Sequence, residues 1–220
     1  MNNKTMATKQ EGAKRENSIE LLLGPMRSNK TEELLRRTAM RREYAKQDVL
    51  IFKPDADNKS QSGVIESRNK KGWGRMEAIE IPSNKPEVMW DFLAARERET
   101  GHKVQCIAID EGQFLARLFP MAGSVLEAGY DVIVAGLDLD FRGLPFGDML
   151  KLMWYVPVYG GNTTWCISYC KCGERAFFSQ RLVNGEPAPY DSPVTLAGEM
   201  YEPRCREHFI LPGRPENLPW

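Results

Sequence analysis

The stretch "LLLGPMRSNKTEELLRR", Leu21 to Arg37, decides the fold. A short apolar run leads into Gly24, and Lys30-Thr31 then opens a segment with helical spacing, close to the phosphate-loop pattern G-x-x-x-x-G-K-[ST]. In such loops backbone N–H groups and a helix N-terminus converge on phosphate oxygens, the lysine reaches the terminal phosphates and the hydroxyl binds magnesium. The stretch predicts a strand, a phosphate loop and a helix. The alternative is a generic strand–turn–helix junction that contains Lys-Thr.

Asn29 stands where this pattern has its second glycine. The backbone turns tightly against the phosphates at this point, and asparagine is among the residues that most readily adopt left-handed backbone conformations. We therefore expect the loop to keep its shape, with an added side chain that can crowd the nucleotide.

Apolar runs alternate with helical patterns on both sides of the loop as far as Asp138. "SIELLLG", "DVLIFKP", "KVQCIAID" and "YDVIVAGLD" read as buried strands, and "KTEELLRRTAMRREYAKQ", "KPEVMWDFLAARERETG" and "EGQFLARLFPMAGSVLEAG" as helices. Residues 55–74 are rich in turn formers and charge, which predicts a mobile loop or lid before a short "MEAIEI" strand. The alternation predicts an α/β fold, with a parallel sheet flanked by helices.

Composition divides the chain into three parts. Residues 1–17 have almost no large apolar side chain, so we expect a flexible N-terminal tail. Residues 18–157 carry the strand–helix alternation and form the predicted nucleotide-binding domain. Residues 158–220 are rich in prolines, turn formers and cysteines, which predicts a small β-rich unit with Asn184-Gly185 as a hairpin turn.

The overall composition limits the partners. Thirty Lys and Arg balance thirty Asp and Glu, so no net basic field favours nucleic acid or anionic lipid. No apolar run reaches the length of a membrane span, and the N-terminus lacks the apolar core of a secretion signal. We therefore expect a cytoplasmic protein that binds neither nucleic acid nor membrane and holds any anionic ligand in a local site.

"CIAIDEGQF" places Asp110 and Glu111 where a buried strand ends. Ligands of open parallel sheets bind beyond the carboxyl ends of the strands, which here is beside the phosphate loop. Asp110 is then placed to engage magnesium, and Glu111 to accept a proton from a hydroxyl that attacks the γ-phosphate. The alternative for an isolated Asp-Glu pair is a solvated turn.

Five cysteines are an odd number, and three of them crowd into "CISYCKC". This clustering suits reduced thiols or a metal site better than a disulfide framework. Cys106, inside "VQCIAI", is predicted to be a core residue.

Together these motifs resemble the type II thymidine kinases. "GPMRSNKTEELLRR" matches that family's G-P-M-x-S-G-K-[ST]-x-E-L-x-R-R except at Asn29, and "DEGQF" matches its D-E-x-Q-F. "GLDLDFRGLPFG" matches its G-L-D-x-D-F-R-G-x-P-F-G, and "SQRLVNGEPAPYDSPV" with "YEPRC" follows its C-terminal region. The resemblance runs from about Ile19 to His208. It implies transfer of the γ-phosphate of ATP to the 5′-hydroxyl of thymidine or deoxyuridine, by a homo-oligomer, either tetramer or dimer.

The resemblance also implies roles for individual residues. Glu111 would be the general base, Lys30 would neutralise phosphate charge, and Thr31 and Asp110 would serve magnesium. The other implied contacts to ATP and its phosphates are Gly24, Pro25, Met26, Arg27, Ser28, Asn29, Asp57 and Gln113. The implied nucleoside contacts are Met26, Phe114, Phe141 and Tyr201, with the backbone of a "lasso" segment at Val194, Thr195 and Leu196. Without the resemblance, Met26, Phe114 and Phe141 would be read as core residues.

The family commonly holds a structural zinc with C-x-x-C and a later C-x-x-[CH]. Cys205 and His208 supply the second half, but Cys170 and Cys172 form C-x-C, one residue short. Zinc takes four ligands in a tetrahedron, and a one-residue spacer strains that geometry. The resemblance still implies a C-terminal lasso domain in which these four residues bind one structural zinc ion. Cys166 is a substitute ligand if the loop refolds, and reduced cysteines without metal are the alternative.

A nucleotide-binding protein of the same fold that lost catalysis is the competing interpretation. This interpretation would explain three departures from the family pattern as signs of lost catalysis. They are Asn29, and Asn58 and Lys59 in place of the family's usual Thr-Arg. The presence of Glu111 and of the phosphate and metal residues favours an active kinase.

Overall fold

The secondary structure follows the predicted alternation of strands and helices. The computed structural model describes residues 17–55, 63–66, 74–194 and 200–217. Its strands are β1 (Ile19–Leu23), β2 (Val49–Pro54), β3 (Val64–Glu66), β4 (Arg75–Glu77), β5 (Ile79–Ile81), β6 (Cys106–Ile109), β7 (Asp131–Gly136), β8 (Gly161–Trp165), β9 (Ser168–Tyr169), β10 (Arg175–Ala176), β11 (Phe178–Val183), β12 (Glu186–Pro187) and β13 (Met200–Arg204). Its α-helices are α1 (Lys30–Glu43), α2 (Met89–Thr100), α3 (Leu118–Glu127) and α4 (Tyr155–Tyr159). Over these described ranges, no helix is both long and apolar enough to cross a membrane.

Six strands form one parallel sheet in the order β5-β2-β6-β7-β1-β8. The inner strands are buried on both faces, as expected for a parallel sheet that is covered on each side. On one face Phe52 and Ile109 pack with residues of α2 and α3. On the other, Ile51 and Ala108 pack with residues of α1. The α/β parallel sheet flanked by helices is confirmed.

Ion pairs fasten α1, the helix that follows the phosphate loop, to the sheet. Its apolar face is buried, and two arginines on its polar side lie over β1. Glu20 accepts from Arg37 and from Arg41, both at 2.6 Å, and Arg41 also donates to Asp131 at 2.7 Å. These pairs are largely shielded from solvent, so they restrain the helix more than exposed pairs would.

The predicted single helix from 111 to 129 is wrong in its first third. Residues Gly112–Phe114 form a 3-10 helix, Leu115 is extended, and α3 begins only at Leu118. Glu111 and Arg117 both have left-handed backbone, with φ of 50° and 56°. Two such residues interrupt an α-helix, so the helical pattern that starts at Glu111 gives an α-helix only from Leu118 onward.

The segment predicted as a loop before "MEAIEI" contains a short hairpin. β3 pairs with β4 in antiparallel fashion, and the predicted strand divides at Ala78 into β4 and β5. Residues 56–62 and 67–73, which carry most of the predicted lid, lie outside the described residues. So do residues 1–16 of the predicted tail.

The C-terminal part is built of small antiparallel sheets. β11 lies between β12 and β13, and β9 pairs with β10. The predicted hairpin turn is confirmed, because Asn184 and Gly185 join β11 to β12 with φ of 52° and 87°. β8 begins after the predicted boundary at residue 157, yet it forms the edge of the main sheet beside β1. The division into domains at that boundary stays a prediction.

Candidate active site

The phosphate loop connects β1 to α1 and has an unusual backbone. Gly24 has φ of 147°, and a Cβ atom there would lie 2.4 Å from the backbone oxygen of Cys166, so this position requires glycine. Arg27 and Asn29 are left-handed, with φ of 60° and 59°. Asn29 thus adopts the conformation that the second glycine of the pattern would supply. α1 starts directly after it, so the N-terminus of the helix opens onto the loop.

Lys30 curls back over this loop. Its Nζ donates to the backbone oxygen of Pro25 at 2.7 Å and to the Ser28 Oγ at 3.3 Å. Burial lowers the pKa of Lys30, and the nearby carboxylate of Glu111 opposes this by raising the pKa. The amine therefore lies between the loop and the acidic end of β6, which is where a lysine can reach a terminal phosphate.

Thr31 and Asp110 meet although they are 79 residues apart in the chain. The Thr31 Oγ1 donates to the two carboxylate oxygens of Asp110 at 3.1 and 3.3 Å. Asp110 is buried at the end of β6, and Thr31 lies in the first turn of α1. A hydroxyl and a carboxylate are hard oxygen ligands of the kind that Mg²⁺ prefers, so this pair could hold that ion.

Glu111 follows Asp110 and is held by Gln113. The Gln113 Nε2 donates to the Glu111 Oε2, while the Gln113 Oε1 accepts from the backbone N–H of Leu137 at 2.9 Å. The second bond fixes which way the buried amide points, because a carbonyl oxygen must face that N–H. Gly136 makes room for it, since a Cβ atom there would lie 2.5 Å from the Gln113 Oε1. Glu111 is thereby oriented from the end of β7.

Asp138 is a site residue that the sequence interpretation missed. It lies just beyond β7, is 8% exposed, and its Oδ1 is buried without a hydrogen-bond partner among the described residues. Burial raises its pKa, and its own backbone N–H, the charge of Lys30 and the backbone N–H groups of Leu139 and Gly24 lower it in part. Its signal in the sequence is the same as that of Asp110: within the motif "GLDLDF" it follows a buried strand.

The predicted nucleoside residues gather beside the loop. Met26, Phe141 and Tyr201 are buried in one cluster with Leu137 and Ala188. Phe114 is half-buried, and its ring meets that of Phe146 edge to face, with centroids 5.4 Å apart. Phe146 in turn packs against the cluster. The cluster combines the loop, the segment after β7 and the C-terminal sheets, so it is not part of the core of the main sheet.

The C-terminal sheets also hold the loop directly. The backbone N–H of Met26 donates to the Ser179 Oγ of β11 at 2.9 Å, and the Ser168 Oγ of β9 donates to the Arg27 oxygen at 3.3 Å. The phosphate loop, which follows β1 near the start of the chain, is therefore also held in place by the C-terminal sheets.

The lasso segment begins at the edge of what the structure describes. Val194 is 38% exposed, and Arg181 donates to the backbone oxygen of Pro193 just before it. The Arg181 guanidinium also lies over the Phe141 ring, 5.1 Å from its centroid. Thr195, Leu196 and Asp57 lie outside the described residues.

Cys170, Cys172, Cys205 and His208 form a second, separate cluster. One ligand atom from each lies within 4.8 Å of all the others. The Sγ atoms of Cys172 and Cys205 are 3.7 Å apart, close to the distance of about 3.8 Å between thiolates on one tetrahedral zinc with Zn–S bonds of about 2.3 Å. The His208 Nδ1 is 3.2 Å from the Cys205 Sγ. Despite the short C-x-C spacer, this Cys₃His set could hold zinc.

Local structure explains how the short spacer works. Cys170 and Cys172 lie in the tight turn between β9 and β10, where Gly173 has φ of 92°. Burial raises the pKa of the Cys170 thiol, but hydrogen bonds from the backbone N–H groups of Cys172 and Cys205 and from their thiols outweigh it and bring the pKa to about 6. Among the described residues, Cys166 does not belong to this cysteine and histidine cluster. Burial raises the pKa of its thiol, and the residue lies beside the phosphate loop.

The sheet and the loop define a class of protein. A parallel sheet, a phosphate loop after β1 and a carboxylate pair after β6 are the parts of a phosphate-loop nucleotide-binding protein. The family model described as thymidine kinase matches residues 17–209, most of the chain. The chain therefore belongs to the thymidine kinase family, as the resemblance of its motifs predicts. Membership makes it a nucleoside kinase, a transferase that acts on small molecules.

Proposed function

We propose that this chain transfers the γ-phosphate of ATP to the 5′-hydroxyl of thymidine or deoxyuridine, which gives the nucleoside monophosphate and ADP. The observation that carries the proposal is a convergence at one edge of the sheet. Lys30 folds over the loop, the Thr31–Asp110 hydrogen bond joins the loop to the end of β6, and Glu111 follows directly. The carboxylate of Glu111 is near enough to Lys30 to raise the pKa of the lysine, and Met26 of the loop lies in the buried cluster that contains Phe141. A phosphate site, a base and an apolar pocket are what phosphoryl transfer to a nucleoside requires.

Each residue then has a defined task. The loop from Gly24 to Thr31 binds the phosphates of ATP through its backbone N–H groups, and Lys30 leaves Pro25 to reach the γ-phosphate. Glu111 accepts the proton of the 5′-hydroxyl while the 5′-oxygen of the nucleoside bonds to the γ-phosphorus. The bond between that phosphorus and the β–γ bridging oxygen breaks, and ADP leaves. Gln113 keeps Glu111 aimed at the hydroxyl.

Thr31 and Asp110 would hold a magnesium ion, and Asp57 would be a further contact to the metal and phosphates. When bound, the ion neutralises charge on the β- and γ-phosphates. The hydrogen bond between Thr31 and Asp110 supports this assignment, because it brings two hard oxygen ligands into one place at the phosphate end of α1.

The nucleoside lies against Met26, Phe114, Phe141 and Tyr201. An aromatic pocket favours a planar base, and the lasso backbone from 194 to 196 hydrogen-bonds its edge. The Cys170, Cys172, Cys205 and His208 set would hold a structural zinc, which would link the β9–β10 turn to the end of β13, the strand that follows the lasso. We further propose a homo-oligomer, dimer or tetramer, that acts in the cytoplasm.

A nucleoside panel tests the reaction. Purified protein with Mg·ATP is incubated with thymidine, deoxyuridine, deoxycytidine and deoxyadenosine, and products are separated by chromatography. We expect monophosphate from thymidine and deoxyuridine, with ADP in equal amount. Unmodified thymidine after prolonged incubation would contradict the proposal and favour the competing interpretation, a nucleotide-binding protein without catalysis.

The Asn29→Gly variant tests how the loop departs from its pattern. Glycine adopts the left-handed backbone of this position without the steric strain that a side chain causes there. The variant also removes the Asn29 side chain from the groove between α1 and β8. We expect the KM for ATP to fall several-fold and the KM for thymidine to stay within about twofold, in steady-state kinetics. Asn29→Ala is the control: it should lose about 1 kcal/mol of stability, because alanine is strained at this φ. Equal ATP affinity in wild type and Asn29→Gly would mean that the position is neutral.

A further inference from the structure

Lys53 is a buried lysine at the edge of the candidate site. It lies near the end of β2, and its side chain is 0% exposed. A fully buried ammonium group costs free energy unless acidic groups surround it. One such group is Glu80 on β5, whose Oε2 is 3.5 Å from the Lys53 Nζ and whose side chain is 35% exposed.

Strand register places Asp110 on the other side of Lys53. Phe52 pairs with Ile109, and the Asp110 backbone N–H donates to the Phe52 oxygen at 2.9 Å. The next residue of β2 is Lys53, and the residue that directly follows β6 is Asp110, so one further step of the same register makes them cross-strand neighbours.

Both side chains point to the same face of the sheet. Ile51 and Ala108, two positions earlier on each strand, lie on the face that α1 covers. Side chains alternate along a strand, so Lys53 and Asp110 lie on that face as well. The hydrogen bond from Thr31 of α1 to Asp110 agrees with this direction. Glu80, Lys53 and Asp110 thus form one charged row across β5, β2 and β6.

We propose that Lys53 is a positioning residue that holds the Asp110 carboxylate in the orientation in which it shares a divalent cation with Thr31. This role rests on the proposed function, and it adds a residue outside the recognised motifs. Residues that fix a metal-binding carboxylate typically change metal affinity about 10–100-fold when they are lost. If Lys53 only neutralised the charge of Glu80, its replacement would leave the metal affinity unchanged.

The experiment measures Mn²⁺ binding, because Mn²⁺ replaces Mg²⁺ and is visible by electron paramagnetic resonance. Wild type, Lys53→Met, Lys53→Arg and Glu80→Gln are titrated with Mn²⁺ in the presence of ADP. We expect Mn²⁺ affinity to fall about tenfold in Lys53→Met. It should recover in part in Lys53→Arg, which restores the cation, and stay within about twofold in Glu80→Gln. In the kinase assay the Mg²⁺ concentration for half-maximal rate should rise in parallel, with the KM for thymidine unchanged.

The outcomes separate this proposal from the proposed function. Wild-type protein that binds no Mn²⁺ with ADP and phosphorylates no nucleoside tells against the proposed function. Wild-type protein that binds Mn²⁺ while a folded Lys53→Met binds it equally or more tightly overturns the role of Lys53 alone. Equal losses in Lys53→Met and Glu80→Gln would also overturn it, because the pair would then act as a structural unit.

A measurement on wild-type protein covers the case in which Lys53→Met does not fold. In protein labelled with ¹⁵N at lysine Nζ, a buried ammonium group gives a resonance that is protected from solvent exchange, and the Lys53 resonance is told from that of Lys30 because it persists in the Lys30→Arg variant. We expect that resonance to shift when Mg²⁺ and ADP are added together, and not with ADP alone. A resonance that does not move on addition of Mg²⁺ overturns the proposal.

Discussion

Glu111→Gln is expected to reduce kcat for thymidine phosphorylation about 10²–10⁴-fold, the usual contribution of a general base. The loss corresponds to about 3–5 kcal/mol in the activation barrier. Glutamine keeps the size of the side chain and can still hydrogen-bond Gln113, but it cannot accept the proton of the 5′-hydroxyl. We therefore expect thymidine and ATP to bind within about twofold of wild type, as measured by isothermal titration calorimetry beside steady-state kinetics.

Glu99→Gln is the matched control for that variant. It makes the same chemical change at a side chain that is 73% exposed, in the last turn of α2. Its surface ion pair with Arg96 contributes little to stability, so kcat should be unchanged. A kcat of Glu111→Gln close to that of Glu99→Gln would show that another group takes the proton.

Removal of the metal from the Cys₃His cluster is expected to have the largest effect on stability. We expect one zinc per chain by elemental analysis of protein prepared without chelator. The cluster joins the β9–β10 turn to the end of β13, and β9 and β11 hold the phosphate loop through Ser168 and Ser179. Chelation or Cys205→Ser should therefore loosen both the C-terminal sheets and the loop. If the loss is about 4 kcal/mol, the Tm falls by roughly 10 °C, and activity falls with it.

Cys166→Ser is the control for the metal assignment. Cys166 lies beside the phosphate loop and outside the cluster that the described residues form, so this variant should keep one zinc per chain. Wild-type protein without zinc would remove the assignment. Loss of zinc in Cys166→Ser and not in Cys172→Ser would mean that Cys166 is the fourth ligand.

Much of the local structure of the candidate site could be predicted because its signals are local. Gly24, Lys30 and Thr31 lie within one turn between a strand and a helix, and the backbone conformation of such a turn depends on nearby residue types. Asn29 is a clear case: its tolerance of left-handed backbone is a property of the residue, and its φ of 59° agrees. The single helix predicted from residue 111 failed for the opposite reason. Its apolar spacing looked continuous, but Glu111 and Arg117 take left-handed backbone where tertiary contacts place them.

The cysteine cluster marks the limit of spacing rules. The resemblance implies zinc at these four residues, but from the sequence alone the one-residue spacer strains the geometry, because two-residue spacers are usual. The structure brings four ligand atoms within 4.8 Å of one another, since the turn at Gly173 folds Cys170 and Cys172 toward the end of β13. The approach of β13 depends on its pairing with β11, which no local pattern encodes.

The sequence by itself determined the strand, loop and helix around Lys30-Thr31, the alternation of strands and helices and the family of the chain, because each is encoded in residues that are close along the chain. Only the tertiary structure decided that β2 lies beside β6 in the register that brings Lys53 near Asp110, that Gln113 hydrogen-bonds Glu111, and that β8 completes the main sheet. Those relations depend on strand order and register. A shift of one residue in register would turn every side chain of a strand to the other face, and long-range pairing is what prevents it.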